Sequence, residues 1–326
     1  PAPLGKPADT ALPLHISRTL PAVTKPLTDQ IQVQWGSNGA AMLERDISGE
    51  QSRVTRGSVE LVEAGEAEAR LPASGLRANA QLSVLDLNAW SKLLPAQAEA
   101  ATGATQAGAG KADEAWRQFV PRQLNLKAGE VKLHGRSVHD VALQINQADR
   151  VWVNQIQARE LAGRVEYREP TTQEPGGLVI AKLSRLNIPD GPDEGLDAAA
   201  TYDDDSVREL PALQISVDEL QLGKRSLGSM EVQARNHWLS VGPGMREWQL
   251  SRFNLSTPEA TLTAQGAWSL RTSDKKHPGQ TQMQFQLNLR DVGKLLSRFD
   301  MPGVVANGQG SLQGDISWTG SPVTPA

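Results

Sequence analysis

The stretch Gln282-Met283-Gln284-Phe285-Gln286-Leu287-Asn288-Leu289-Arg290 alternates polar and apolar residues without a fault. Successive side chains on a strand point to opposite faces, so this period admits a half-buried strand and excludes an amphipathic helix. Met283, Phe285, Leu287 and Leu289 then share one dry face. Ile31 to Trp35, Val141 to Ile145, Leu213 to Val217, Ala260 to Ala264 and Leu312 to Trp318 read the same way. A wet face and a dry face on each strand indicate antiparallel pairing, not the doubly buried strands of a parallel α/β sheet. The expected fold is all-β, with few helices.

Two short helices are expected. Asn88 to Leu94 follows Asp86, a residue suited to cap it, and stops at Pro95. Asp291 to Phe299 stops before Met301-Pro302-Gly303. Each directly follows an alternating strand, Ala80 to Leu85 in one case and Met283 to Leu289 in the other. A longer repeat has an offset near 90 residues: Pro121 to Leu126 resembles Pro211 to Ile215, and Arg136-Ser137-Val138 resembles Arg225-Ser226-Leu227. Repeats of this kind mean stacked units sharing a core. Leu161 to Val165 and Leu262 to Gly266 occupy comparable places later in the two copies.

Three stretches break the alternation. Ala96 to Lys111 is rich in Ala, Gly and Gln, Gly191 to Arg208 is acidic, and Thr272 to Gly279 is polar. They read as exposed excursions between strands, the first two as mobile loops. The expected division is a β segment at 1–95, a flexible loop at 96–112, a β repeat at 113–190, an acidic loop at 191–209, a second β repeat at 210–322 with its helix at 291–299, and a tail at 323–326.

Composition removes several functions. The net charge of -4 offers no basic field for nucleic acid. The absence of cysteine removes disulfides, thiolate catalysis and cysteine-held metal together. No apolar run reaches the roughly 18 residues a membrane helix needs, and the chain opens on Pro1-Ala2-Pro3, as an excised segment would.

Motifs for chemistry are missing as well. The five histidines His15, His134, His139, His237 and His277 form no zincin pattern, and His134 with His139 flanks a turn at Gly135 that suits solvated imidazoles better than a metal. Gly108-Ala109-Gly110-Lys111 lacks the Ser or Thr of a phosphate loop. Gly308-Gln309-Gly310 leads into a strand and not a helix. Asp203-Asp204-Asp205 lacks the spacing of a calcium loop. Asn254-Leu255-Ser256 matches a glycosylation sequon but lies in an expected strand. No Gly-x-Ser-x-Gly elbow occurs. No enzyme, cofactor or metal is expected. Eight tryptophans against four Phe and two Tyr is an unusual balance. Trp35, Trp248, Trp268 and Trp318 fall in or at the ends of expected strands. They fit a role closing the ends of the apolar face, where an indole N–H reaches water or a carbonyl.

An ordered series of segments resembles the YhdP branch of the large AsmA-like proteins. Leu71 to Ala80 with Leu85 to Trp90 carries part of it, and so does Leu210 to Ile215 with Leu222 to Gly228. The most specific part runs from Gly293-Lys294-Leu295-Leu296 through Met301-Pro302-Gly303 to Gly308 and on to Pro322. The resemblance spans about residues 10 to 322. It implies a bridge-type lipid-transport protein anchored in the inner membrane of a Gram-negative bacterium and extending across the periplasm. It also implies a long, curved, U-shaped antiparallel sheet with an apolar inner face, moving phospholipid toward the outer membrane, with membrane contacts made by regions outside this segment.

The residues themselves lead the same way. A sheet with one dry face covers it with another sheet, with helices, or with something that is not protein. Helices are scarce, so acyl chains are the expected occupant of a trough. Its expected lining is Val131, Leu133, Val141, Leu143, Ile145, Leu213, Ile215, Leu262, Met283, Phe285, Leu287 and Leu289, each with mostly polar neighbours on either side. The competing readings are a β-sandwich module that binds glycan or protein, with two packed sheets and exposed tryptophans, and a ligand-free spacer.

Overall fold

The alternating runs become strands wherever the structure describes them. The computed structural model describes residues 11–21, 26–93, 119–133, 135–172, 174, 176–189, 210–239, 245–271 and 279–322. The expected loops Ala96 to Lys111 and Gly191 to Arg208 lie outside these residues, as do 272–278, 323–326 and His134.

The chain divides into two compact units, one of Pro1–Asp149 with Asn154–Arg159 and one of Arg150–Val153 with Glu160–Ala326. The first holds β1 (Leu14–Thr19), β2 (Thr28–Trp35), β3 (Gly39–Asp46), β4 (Arg53–Val62), β5 (Gly75–Asp86), α1 (Leu87–Leu93), β6 (Gln123–Leu133) and β7 (Arg136–Ala148). Strand β8 (Val151–Gln157) is divided between the units. The second holds β9 (Leu161–Arg168), β10 (Leu178–Ile188), β11 (Ala212–Leu222), β12 (Arg225–Leu239), β13 (Met245–Ser256), β14 (Ala260–Arg271), β15 (Gln280–Leu289), α2 (Val292–Arg298) and β16 (Gly310–Thr319). Within each unit hydrogen-bonded neighbours follow chain order, β1 to β7 in the first and β9 to β16 in the second.

The all-β expectation holds, with one difference in the pairing. The joins β4–β5, β5–β6 and β10–β11 are parallel. A parallel neighbour runs the same way as its predecessor, so the chain has to travel back before it can pair. The connections at 63–74, 87–122 and 189–211 do this, and the two longest contain the stretches where alternation fails. The sequence repeat has the same cause. Strands β6 and β11 each begin after such a return, and each then forms an antiparallel hairpin with the next strand.

Both expected helices are present to within a residue at each end. Asp86 accepts the Ala89 N–H at 2.9 Å, and Asp291 accepts the Lys294 N–H at 2.9 Å. These caps satisfy N–H groups that the first helical turn leaves without partners.

Within each unit the described strands pack chiefly on their hydrogen-bonded neighbours, and α1 lies against β6. No second sheet is laid across either face of a unit among the described residues. The β4–β5 connection crosses on one face only. There Ala67 and Ala69 pack on Ala40, Met42 and Val62, and the Ala67 N–H donates to the Ser37 carbonyl at 2.8 Å. Ala40 and Met42 alternate with Gly39, Ala41 and Leu43, so the opposite face of β3 is left clear of this segment.

Candidate functional site: rows of apolar side chains

Residues paired across neighbouring strands point to the same side of a sheet, so the registers assign each side chain to a face. In the second unit one row runs Val165, Ala181, Ile215, Val232, Phe253, Ala264, Phe285 and Gly314 across eight strands, from β9 to β16. A parallel row runs Leu183, Val217, Met230, Leu255, Leu262, Leu287 and Leu312. A third runs Val179, Leu213, Ala234, Leu250, Gly266, Met283 and Ile316. The intervening row on the other face is Arg164, Lys182, Ser216, Glu231, Asn254, Thr263, Gln286 and Gln313. With neighbouring strands about 4.8 Å apart, seven joins extend each eight-strand row over roughly 34 Å.

These rows survive interruptions that sequence reading did not foresee. In β10 the register against β9 shifts between Leu183 and Arg185, in β11 against β12 between Val217 and Leu220, and in β13 against β14 between Leu250 and Phe253. An extra residue in one strand reverses the side that later residues face. Each strand compensates by placing two consecutive polar residues at the shift: Ser184-Arg185, Asp218-Glu219 and Ser251-Arg252. The apolar side chains on both sides of the shift therefore stay together. Leu183, Val217 and Leu220 form one buried cluster with Leu186 and Ile188 against it, and Trp248 and Leu250 pack with Phe253. Glycine faces two of the offset sites because a side chain has no room. A Cβ on Gly163, at φ 148, would sit 2.3 Å from the Lys182 carbonyl oxygen, and one on Gly228, at φ 75, 2.0 Å from that of Ser256.

The first unit has its own rows: Ile16, Val33, Ala41, Val59, Ala78, Leu124 and Ile145, then Leu14, Trp35, Gly39, Leu61, Ala80, Leu126 and Leu143. Beyond them, pairing is skipped at Ser83, Gly129 and Asp140, and Asp140 has φ 54. Burial changes phase there too: Leu126 and Ala128 are buried before the skip and Val131 after it.

All twelve expected lining residues lie on strands. Leu213, Ile215, Leu262, Met283, Phe285, Leu287 and Leu289 share the dry face of the second unit, each half-buried. In the first unit Leu143 and Ile145 join its rows, and Val141, buried, pairs with Ala128. Val131 sits past the skipped row, paired with Val138 and Leu85. Leu133 ends its strand opposite Arg136 and is 44% exposed, outside the rows. The expected lining omitted Leu183, Met230, Leu250, Phe253 and Leu255, and also Val217, although the alternation from Leu213 already placed that residue on the dry side. The spacing apolar–polar–polar–apolar would have found most of them.

Tryptophans close one end of the second unit's dry face. Trp248 pairs with Trp268, and Trp268 pairs through Thr281 to Trp318. Trp248 and Trp268 are buried, and the Trp248 and Trp318 indoles donate to the Pro211 and Ser321 carbonyls at 3.0 and 2.9 Å. At the other end Arg298 of α2 holds Glu259 through contacts of 2.8 Å, and the guanidinium beside Glu259 lowers its carboxyl below the usual range against the effect of burial.

In the first unit the corresponding element is ionic. Asp29 is fully buried and accepts from Arg18 Nε at 2.6 Å and from Arg45 Nε and Nη2 at 3.1 and 2.7 Å. The Arg45 hydrogen bond is the main cause that lowers the Asp29 carboxyl, and Arg18 adds to it against burial. Shallow depressions on the second unit are lined largely by wet-face groups such as Ser251, Gln265, Gln284 and Asp315, and no tryptophan lines them. Among the described residues no group of three His, Asp or Glu is placed to hold a metal ion. No helix among them is long and apolar enough to cross a membrane.

The family model described as YhdP protein matches residues 1–326. No curated protein and no solved structure matches the chain.

Proposed function

We propose that this chain, which belongs to the YhdP family, is a non-enzymatic track for phospholipid, its apolar rows holding acyl chains in transit between the inner and outer membranes of a bacterial envelope. The observation that carries this reading is the eight-strand row from Val165 to Gly314, flanked by two more apolar rows, with no second sheet over it among the described residues. Membership in a lipid-transport family supports it. A β-sandwich would fill that face with a second layer, and a glycan platform at the tryptophan end would expose its indoles, whereas Trp248 and Trp268 are buried and Trp318 donates to the Ser321 carbonyl.

Physical chemistry explains the use of such a surface. Each methylene gains about 0.8 kcal/mol on leaving water, so a two-chain lipid with roughly 30 methylenes faces a barrier on the order of 20 kcal/mol to cross an aqueous gap. Aliphatic contacts are non-directional, so a chain slides along a row without breaking specific bonds.

The test is native mass spectrometry of the purified chain for bound phospholipid, repeated on Leu287→Asp. The carboxylate would stand unpaired in the row, at several kcal/mol of desolvation once lipid covers it. Lipid occupancy is expected to fall more than about tenfold with the β circular dichroism spectrum retained. A folded variant that carries as much lipid as the parent would overturn the reading at this position. An unfolded one would make the face a packed core.

A further inference from the structure

The ionic cluster of the first unit stands on the dry face itself. Arg18 pairs with Ile31, Ile31 with Leu43, and Asp29 with Arg45 in the next row along the same strands. Residues 29, 31 and 33 alternate onto one side of β2, so Arg18, Asp29 and Arg45 lie on the same side as Ile16, Val33 and Leu43. Charged groups on an apolar face are costly unless something there uses them.

The cluster is also unbalanced. Two guanidinium charges meet one carboxylate, which leaves one positive charge. Asp29 is spent: both its oxygens are occupied and its side chain is 0% exposed. The arginines are not. The Arg18 side chain is 54% exposed and that of Arg45 26%. Only Nε of Arg18, and Nε and Nη2 of Arg45, are engaged, so Arg18 Nη1 and Nη2 and Arg45 Nη1 keep their donors free among the described residues. Asp29 thus holds two guanidinium groups on one carboxylate and does not engage their remaining donors. Planar forks of this kind match the oxygens of a phosphate.

We propose that Arg18 and Arg45 form a subsite for the phosphodiester of a phospholipid whose acyl chain lies along Ile16, Val33, Ile31 and Leu43. This rests on the track reading above. The apolar rows supply affinity without direction, and the subsite gives the lipid a fixed polar end at one margin of the face. Phosphatidyl lipids share the phosphodiester, so the subsite selects anionic phosphate over neutral amphiphiles without reading the rest of the headgroup.

The experiment compares two probes with the same acyl chain on the full 326-residue chain: lysophosphatidylglycerol and monoacylglycerol, both below micelle-forming concentration, by titration calorimetry. Both are expected to bind, the phosphodiester about tenfold more tightly, as charged hydrogen bonds would give. In Arg18→Gln that preference falls toward unity while monoacylglycerol affinity stays unchanged. Arg45 keeps its two bonds to Asp29 in this variant, so the carboxylate is not stranded. Arg53→Gln removes the same charge on the opposite face, beside Asp46, and is expected to keep the preference. Equal affinity for the two probes in the parent, or a preference that survives Arg18→Gln, overturns the subsite and leaves the track standing. Failure of both probes to bind overturns the track. Inorganic phosphate alone is expected not to bind at these concentrations; if it binds as tightly as the lysolipid, the site is one for free oxyanion and the headgroup assignment is overturned.

Discussion

Strands β14 to β16 and strands β10 to β13 present the same apolar rows by different means. In β14–β15 and β15–β16 ten consecutive pairs run without a shift, and the dry residues are every second one. From β10 to β13 the dry side is kept across three offsets by two polar residues in succession at each. Along the row from Leu183 to Leu312 the offset block is also the more buried: Val217 is 1% exposed and Leu183 8%, whereas Leu312 on β16 is 55% exposed. A shift adds local twist and brings neighbouring side chains over one another. One row thus passes from a near-core environment to an open wall.

The largest expected effect tests that gradient with one substitution at two points of the same row. Val217 and Leu287 both belong to the row from Leu183 to Leu312. Val217→Asp buries a carboxylate among Leu183, Leu220 and Met230 and is expected to cost on the order of 4 kcal/mol, read as a collapse of the urea midpoint. Leu287→Asp is expected to move that midpoint little and to abolish lipid binding. Equal losses of stability at the two sites would erase the distinction between the blocks.

The same contrast decides what was legible in the sequence. The straight block was readable because unbroken alternation, as from Met283 to Leu289, names the dry side of a whole strand. The offset block was legible only between its bulges, as at Leu213 and Ile215, because a fixed period loses phase at a bulge. The pairs Ser184-Arg185, Asp218-Glu219 and Ser251-Arg252 carried the signal, but a doublet of polar residues also marks an ordinary strand end. The parallel joins were hidden for another reason. A one-sided strand such as β11 has the same pattern whichever way its neighbour runs, and only the long connection before it distinguishes the two cases. Asp29 looked like any charge at a strand start, since its two arginines come from different strands.

A smaller effect lies where the blocks meet. Glu259, in the turn between β13 and β14, holds Arg298 of α2. Its carboxyl is lowered in the folded chain, chiefly by the Arg298 hydrogen bond. A depressed acid contributes stability that is full above its unfolded pKa of about 4.3 and is lost as pH falls through the lower folded value. Glu259→Gln is therefore expected to cost about 1–2 kcal/mol at pH 7, and the difference from the parent closes in more acid solution. Urea unfolding of both proteins across that window reads it. A difference that persists unchanged below the folded value would mean that the ion pair is not its source.

The smallest effect is the sharpest check on the straight block. Gln286 is adjacent to Leu287 but stands in the wet row, paired with Thr263 and Gln313. Its side chain is exposed and donates to Asn288 Oδ1 at 3.3 Å. Gln286→Asp introduces the same carboxylate as Leu287→Asp one residue away, into water. Exposed substitutions of this kind stay within about 0.5 kcal/mol, so the unfolding midpoint is expected to hold. Lipid occupancy by native mass spectrometry is expected to match the parent, because the backbone of β15 separates the charge from the acyl chain. The comparison depends on the register alone, since composition, net charge and strand are the same in the two experiments apart from which neighbour is replaced. A loss of lipid in Gln286→Asp equal to that in Leu287→Asp would mean that both faces of β15 meet the lipid, and the row from Val165 to Gly314 would no longer define a single track.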